Sequence, residues 1–219
     1  MDITGNVFVA GGGSGIGKAT CVALAKENAS GILVVDIDLK SAEATVAEAT
    51  AAISVNVSIE EPVKKAVARM VQSFGHIDYC VHCAGIHVHG TFLVTSQISA
   101  AMKTQELKQI DAANPQAGGT HRSIVNLGSV ASLFAPHAVL AIYKTAAIDD
   151  ASFGIRVNCI SPTWVDTPML YKTIGVTPGL DTKIILTADA VLFLCSPRSS
   201  FITRIALPAD GDITISSST

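Results

Sequence analysis

Three groups of residues have types and spacings that could do chemistry. The first is AGGGSGIGK, from Ala10 to Lys18, which follows the strand-like run NVFVA and opens a helical pattern. Glycine at Gly11, Gly15 and Gly17 would let the backbone approach a pyrophosphate, while a helix N-terminus offers free N–H groups and a favourable dipole. The second is Asp36, which ends the next strand-like run ~20 residues past Gly17, the offset at which an acid accepts hydrogen bonds from an adenosine ribose diol. Such an acid also repels a 2′-phosphate, so the pair predicts a dinucleotide site for NAD rather than NADP. A flexible turn and a solvated acid at a strand end would look similar taken singly. The strand before, the helix after and the offset favour the site. The third group is Cys80, His82, Cys83, His87 and His89, which could suggest zinc. Cys80 and His82 share one face of a strand whereas Cys83 points to the other. Buried cysteine as a small apolar residue explains positions 80 and 83, and no metal is expected.

These residues need a scaffold, and the pattern around them supplies one. Short β-branched runs stand at 6–10, 32–36, 53–57, 79–83, 123–127 and 156–160, with a last strand at Ile205 to Pro208. Helical patterns lie between them at 16–27, 39–52, 59–74, 91–107, 137–152 and 188–195. Continuous apolar runs of strand length are what strands covered by helices on both faces look like. The β-α alternation predicts one α/β domain over residues 1–219, a Rossmann-type doubly wound parallel sheet of about seven strands with right-handed crossovers.

Composition agrees. Hydrophobic residues make up 49% and charged residues 15% of 219, well below the roughly 25% charged of an average globular chain, so disorder is excluded. The net charge of −3 and the absence of a basic stripe argue against nucleic acid as a partner. The uncharged stretches Tyr79 to Met102 and Ser123 to Tyr143 are interrupted by His82, His87, His89, Asn126, Pro136 and His137. Neither is the continuous apolar span of ~20 residues that a bilayer requires, so no membrane association is expected. Five cysteines without scaffold-like spacing fit a reducing compartment, and a cytoplasmic protein is the expectation.

The motifs also resemble the short-chain dehydrogenase/reductase family over nearly the whole chain. Gly11, Gly15, Ile16 and Gly17 match its TGxxxGxG loop, with Ala10 for Thr, and Gly13 and Ser14 lie within that loop. Asn56 and Val57 resemble the Asp-Val pair beside the adenine. Cys83, Ala84 and Gly85 resemble the NAG turn after the fourth strand. SIVNLGS resembles the fifth strand and ends in the family's catalytic serine, Ser129, which could otherwise merely cap that strand. SPTWVDTP resembles the nicotinamide-side segment through Pro162 and Thr167, with Thr163 for a common Gly, and LPADGD resembles the terminal VDGG. The resemblance implies an oxidoreductase that passes a hydride between NAD and an alcohol or carbonyl substrate. It also implies a homodimer or homotetramer built on the helices at 91–107 and 137–152. A catalytically inactive dinucleotide-binding scaffold is the alternative.

That alternative arises because the chain departs from the family at its proton chemistry. The family uses Tyr-x-x-x-Lys, in which Lys lowers the Tyr pKa and Ser polarises the carbonyl. Tyr143 and Lys144 are adjacent instead, and neighbours on a helix point about 100° apart. HAVLAIYKTAAIDDASFGIRVN, from His137 to Asn158, instead resembles the helix and strand that follow the catalytic Lys, which puts Pro136 in that Lys's place. His87 falls where a relay Asn belongs, the helix at 39–52 leaves no connector before the third strand, and the lid from Met169 to Ala188 is short. Either the chain has lost its catalytic segment, or the sequence omits residues of the native protein near 52/53, 86 to 89 and 134 to 137. Losing helix turns would leave backbone groups unpaired at ~1–3 kcal/mol each, which favours omission. An intact mass of 22.6 kDa would speak for the shortened chain.

Overall fold

The computed structural model describes residues 3–46, 50–85, 88–106, 122–130, 138–163, 165, 167–168 and 184–211. The strands are β1 (Asn6–Ala10), β2 (Gly31–Asp36), β3 (Thr50–Ser54), β4 (Tyr79–His82), β5 (Arg122–Leu127), β6 (Ile155–Pro162) and β7 (Ala206–Ala209). The helices are α1 (Gly15–Lys26), α2 (Leu39–Glu43), α3 (Glu60–Phe74), α4 (Val88–Lys103), α5 (Ala138–Asp150) and α6 (Ile184–Cys195). All the strand pairs are parallel, in the order β3-β2-β1-β4-β5-β6-β7. This is the doubly wound Rossmann architecture expected from the alternation. Strand order reverses between β1 and β4, and the crevice beyond the carboxyl ends of the strands at such a switch point is where ligands bind in open α/β sheets.

The period of two along each strand divides the core into two layers. Phe8, Leu33, Cys80, Ile124 and Val157 face α3, α4 and α5, whereas Val7, Val34, Val81, Val125 and Ile160 face α1 and α6. Both faces are covered, hence the nearly unbroken apolar runs. α3 shows how sequence fixes a helix: Glu60 and Glu61 occupy its positive end and pair with Lys64 and Lys65 one turn on, at 2.7 and 3.8 Å. Gly75 then ends it, donating its N–H to the Val71 carbonyl.

Two expectations are corrected. The helical pattern at 39–52 yields only α2, capped by the Asp38 carboxylate accepting from Lys40 N–H, and ending at Glu43. Ala51 and Ala52 belong to β3, in register with Leu33 and Val34, so an available strand edge outweighs the helix preference of alanine. The helix therefore ends well before β3, and Ala52 and Ile53 stand within that strand opposite Val34 and Val35. β3 in turn starts and ends earlier than the 53–57 run. Val55, Asn56 and Val57 lie past its end, where the Asn56 side chain accepts the Ser58 N–H at 3.0 Å and turns the chain into α3. The joins at 86 to 89 and 134 to 137 fall wholly or partly outside the described residues, as do His87 and Pro136.

Two buried arginines tie helix ends to strand beginnings. Arg122, at the start of β5, donates to the Met102 carbonyl at 2.7 Å and to that of Glu106, just beyond α4. Arg156 in β6 donates to the carbonyls of Cys195 and Ser196 at the C-terminal end of α6 and to that of Ile202 further along the chain. Each places a cation at the negative end of a helix. Among the described residues no helix is long and apolar enough to cross a membrane.

Candidate functional site

A cleft of about 480 Å³ opens at the carboxyl ends of the strands, across the switch point, within the ~300–1,000 Å³ usual for small-molecule sites. Gly11, Ser14, Gly15, Ile16 and Gly17 line it from the loop between β1 and α1, and Asp36 from the end of β2. Asn56 and Val57 enter from beyond β3, Cys83, Ala84 and Gly85 from beyond β4, Ser129 from beyond β5, and Pro162 and Thr167 from the end of β6 and beyond. Residues far apart in the chain thus converge because parallel strands all deliver their carboxyl ends to one edge.

The loop is close-fitting. Gly11 donates its N–H to the Val35 carbonyl at 2.7 Å and has φ +77°. A Cβ there would lie 2.6 Å from the Ala84 nitrogen, and one on Gly17 would lie 2.0 Å from the Gly11 carbonyl oxygen. Neither position has room for a side chain, because the turn packs directly on the backbone beyond β4 and the start of α1 packs directly on the turn. A cradle of bare backbone N–H groups at a helix N-terminus, facing a carboxylate, fits a dinucleotide diphosphate and ribose. Gly13 is the exception among the loop's candidate site residues: it does not line the cleft. Its N–H donates to Asp36 Oδ2 at 2.9 Å, while Asp38 N–H donates to Oδ1 at 3.1 Å.

Ser129 is positioned by the continuation of β5–β6 pairing past the strand end. Gly128 donates to the Ile160 carbonyl at 2.8 Å and Val130 to that of Pro162 at 2.9 Å, so the residue between them is held beside Pro162. Gly128 is small for a reason, since a Cβ would come 2.9 Å from Cys159 Sγ. The Cys83 thiol is pushed well above its ordinary range, chiefly by burial and then by neighbouring cysteines, which makes it a poor nucleophile. Cys80 and Cys83 pack into opposite core layers, as strand geometry requires.

Sequence reasoning missed the apolar walls. Ile37, Val55, Leu127 and Val165 line the cleft, and Ile37 is exposed there although large and hydrophobic. Their only signal was position, beside or within a recognised motif or at a strand end. Tyr143, by contrast, is fully buried in the layer beneath α5, its hydroxyl without a hydrogen-bond partner among the described residues, and Lys144 beside it is exposed. Neither lines the cleft, and among the described residues no tyrosine or lysine does. Trp164 and the lid residues 169–183 lie outside the described residues.

A family model described as enoyl-(acyl carrier protein) reductase matches residues 10–214. The chain is 41% identical to the short-chain dehydrogenase fogB of Aspergillus ruber, covering 98% of each chain. It is 40% identical to the short-chain dehydrogenase virB of Hypocrea virens, again covering 98% of each. The chain belongs to the short-chain dehydrogenase/reductase family. This family of oxidoreductases binds a nicotinamide dinucleotide. In structure the chain is similar to the 3-ketoacyl-(acyl-carrier-protein) reductase of Brucella melitensis complexed with NADH, with a TM-score of 0.76, 25% identity, and coverage of 95% of this chain and 97% of that one. The fogB alignment runs over 270 positions although this chain has 219 residues, so a substantial part of that span has no counterpart here.

Proposed function

We propose that this protein is an NAD-dependent oxidoreductase that interconverts an alcohol and a ketone or aldehyde. The observation that carries the reading is the bare-backbone cradle of Gly11, Gly15 and Gly17 facing an Asp36 carboxylate already fixed by two backbone N–H groups. NAD bound there would supply or accept the hydride. Gly11 and the residues 14–17 at the α1 N-terminus would hold the pyrophosphate, and Asp36 the adenosine ribose. Asn56, Val57, Cys83, Ala84 and Gly85 would flank the adenine side, and Pro162 and Thr167 the nicotinamide side. Ser129 would donate its hydroxyl hydrogen to the substrate oxygen, drawing electron density off the carbonyl carbon. A likeness to a ketone reductase seen with NADH supports both the cofactor and the reaction class. Five free cysteines fit a reducing, cytoplasmic setting. Assembly as a homodimer or homotetramer through α4 and α5 belongs to the same proposal and is checked by light scattering.

A second reading is a dinucleotide-binding scaffold without turnover. It is favoured by the absence, among the described residues, of a tyrosine or lysine on the cleft wall. Fluorescence titration with NADH and NADPH, followed by assay against a panel of secondary alcohols and ketones, separates the two. The enzyme binds NADH and turns substrate over, with activity lost in Ser129→Ala. The scaffold binds NADH and turns nothing over. Failure to bind either nucleotide overturns both.

A further inference from the structure

One layer below the cleft, on the α4 side of the sheet, two buried polar side chains stand side by side without enough partners. His82 ends β4 and Asn126 is its register neighbour on β5. They are 1% and 0% exposed, and Cys83 and Leu127, the residues that follow each, line the cleft. Thr95 of α4 donates its hydroxyl to Asn126 Oδ1 at 3.1 Å, which fixes the amide so that its Nδ2 is the free end. That Nδ2 and both imidazole nitrogens of His82 have no hydrogen-bond partner among the described residues. The residues in register beyond this pair, Ala10 on the β1 side and Cys159 on the β6 side, are small.

Three orphaned polar atoms in one spot are hard to reconcile with a dry core, because each carries a penalty comparable to a lost hydrogen bond. The set has a definite chemical character. Asn126 Nδ2 must donate, whereas a neutral imidazole must donate through one nitrogen and accept through the other. No charged residue contributes to the environment that shifts His82, whose burial alone holds it neutral. A cation would find too few acceptors, and an apolar ligand would satisfy nothing. Water both donates and accepts, and adjacent parallel strands about 4.8 Å apart bring the two side chains within reach of one molecule.

We propose that His82, Asn126 and Thr95 form a buried water site at the carboxyl ends of β4 and β5, in which an ordered water accepts from Asn126 Nδ2 and donates to the His82 imidazole. The site is a fixed polar element of the cleft floor, independent of whether the cleft turns substrate over. Buried waters of this kind make two to four hydrogen bonds to groups otherwise unsatisfied and are costly to remove.

The test uses the whole chain. In a crystal structure of the wild-type protein at better than about 2 Å resolution, density for a water within hydrogen-bond distance, ~2.7–3.2 Å, of both Asn126 Nδ2 and a His82 nitrogen is expected. A direct His82–Asn126 hydrogen bond, or a dry gap between them, overturns the site. Thermal melts give an independent reading whose sign decides. A hydrated site makes His82→Leu melt lower than wild type, because the water and Asn126 lose a partner, and His82→Gln restores most of the loss. A dry site makes His82→Leu melt higher, since an orphaned polar group is exchanged for an apolar one. Should His82→Leu fail to fold, nuclear Overhauser contacts from long-lived water to the Asn126 side-chain amide of the wild type still decide, present for the site and absent against it.

Discussion

The Gly13 N–H donates to Asp36 Oδ2 at 2.9 Å, and a Cβ on Gly13 would lie 2.8 Å from that same oxygen. The first glycine-rich turn therefore does two jobs with different residues. Gly11 and Gly17 let the turn pack against the backbone of Ala84 and of Gly11 itself, while Gly13 sets the carboxylate that would read the ribose.

Asp36→Asn keeps the shape of the side chain but removes its charge. It should weaken NADH binding by about 1.5–3 kcal/mol, roughly tenfold to hundredfold in Kd, and narrow the preference over NADPH. Gly13→Ala should act in the same direction without touching the nucleotide, by pushing the carboxylate aside. Parallel fluorescence titrations with NADH and NADPH measure both. An unchanged NADH affinity in both variants would show that Asp36 does not contact the cofactor.

Tyr143→Phe separates burial from chemistry. The Tyr143 hydroxyl is buried without a partner among the described residues and away from the cleft, and an unsatisfied buried hydroxyl costs ~1–3 kcal/mol. The variant should keep kcat and KM and be as stable as wild type or more so, by up to about 1 kcal/mol in urea unfolding. A fall in kcat with KM unchanged would bring Tyr143 into the reaction.

What the sequence made legible follows from which physical rules are local. The β1 loop and Asp36 were readable because a glycine-rich strand-to-helix turn and an acid about 20 residues further on form a local pattern, whereas the turn after β4 was readable only through the family resemblance. The sheet was readable because two covered faces produce continuous apolar runs. The extent of α2 was not: Ala51 and Ala52 prefer a helix in isolation and become strand only because the edge of β2 offers Leu33 and Val34 as partners. The wall residue Ile37 was likewise invisible, since an apolar side chain exposed in a cleft looks like any other until the cleft exists. The role of Gly13 lay beyond reach as well, because only the folded turn brings its N–H to a side chain 23 positions away.

Arg156 is predicted to be a stability residue with no part in the cleft. Arg156, 5% exposed, donates to the carbonyls of Cys195 and Ser196 at the end of α6 and to that of Ile202 further along the chain, and its cation opposes the helix dipole. Arg156→Met keeps much of the volume and removes the donors, which deprives the Cys195 carbonyl of the guanidinium, whereas the Ser196 carbonyl keeps Ser199 and the Ile202 carbonyl keeps Asn158. A loss of about 1–3 kcal/mol is expected, read as a lower urea midpoint with the m-value unchanged. NADH affinity of the folded variant should match wild type, and a loss of less than about 0.5 kcal/mol, the range of ordinary surface changes, would mean that Arg156 is not the clasp of this corner.

His82 should make stability fall with acid in a defined window. Burial lowers its pKa from 6.5 to about 4 in the folded chain, whereas the unfolded chain keeps the ordinary value. Between those values the unfolded state binds more protons than the folded state, so unfolding free energy rises with pH through the window. Above pH 6.5 the imidazole is neutral in both states and costs nothing. As pH falls towards 4, stability declines by up to about 3 kcal/mol on the order of the pKa difference, and below that no further loss comes from this group. Urea unfolding of wild type and His82→Gln at a series of pH values measures it. The glutamine variant does not titrate, so the difference between the two curves should change between pH 6.5 and 4 and be flat above. Two parallel curves across that range would show that His82 is protonated in the folded chain as readily as in the unfolded one.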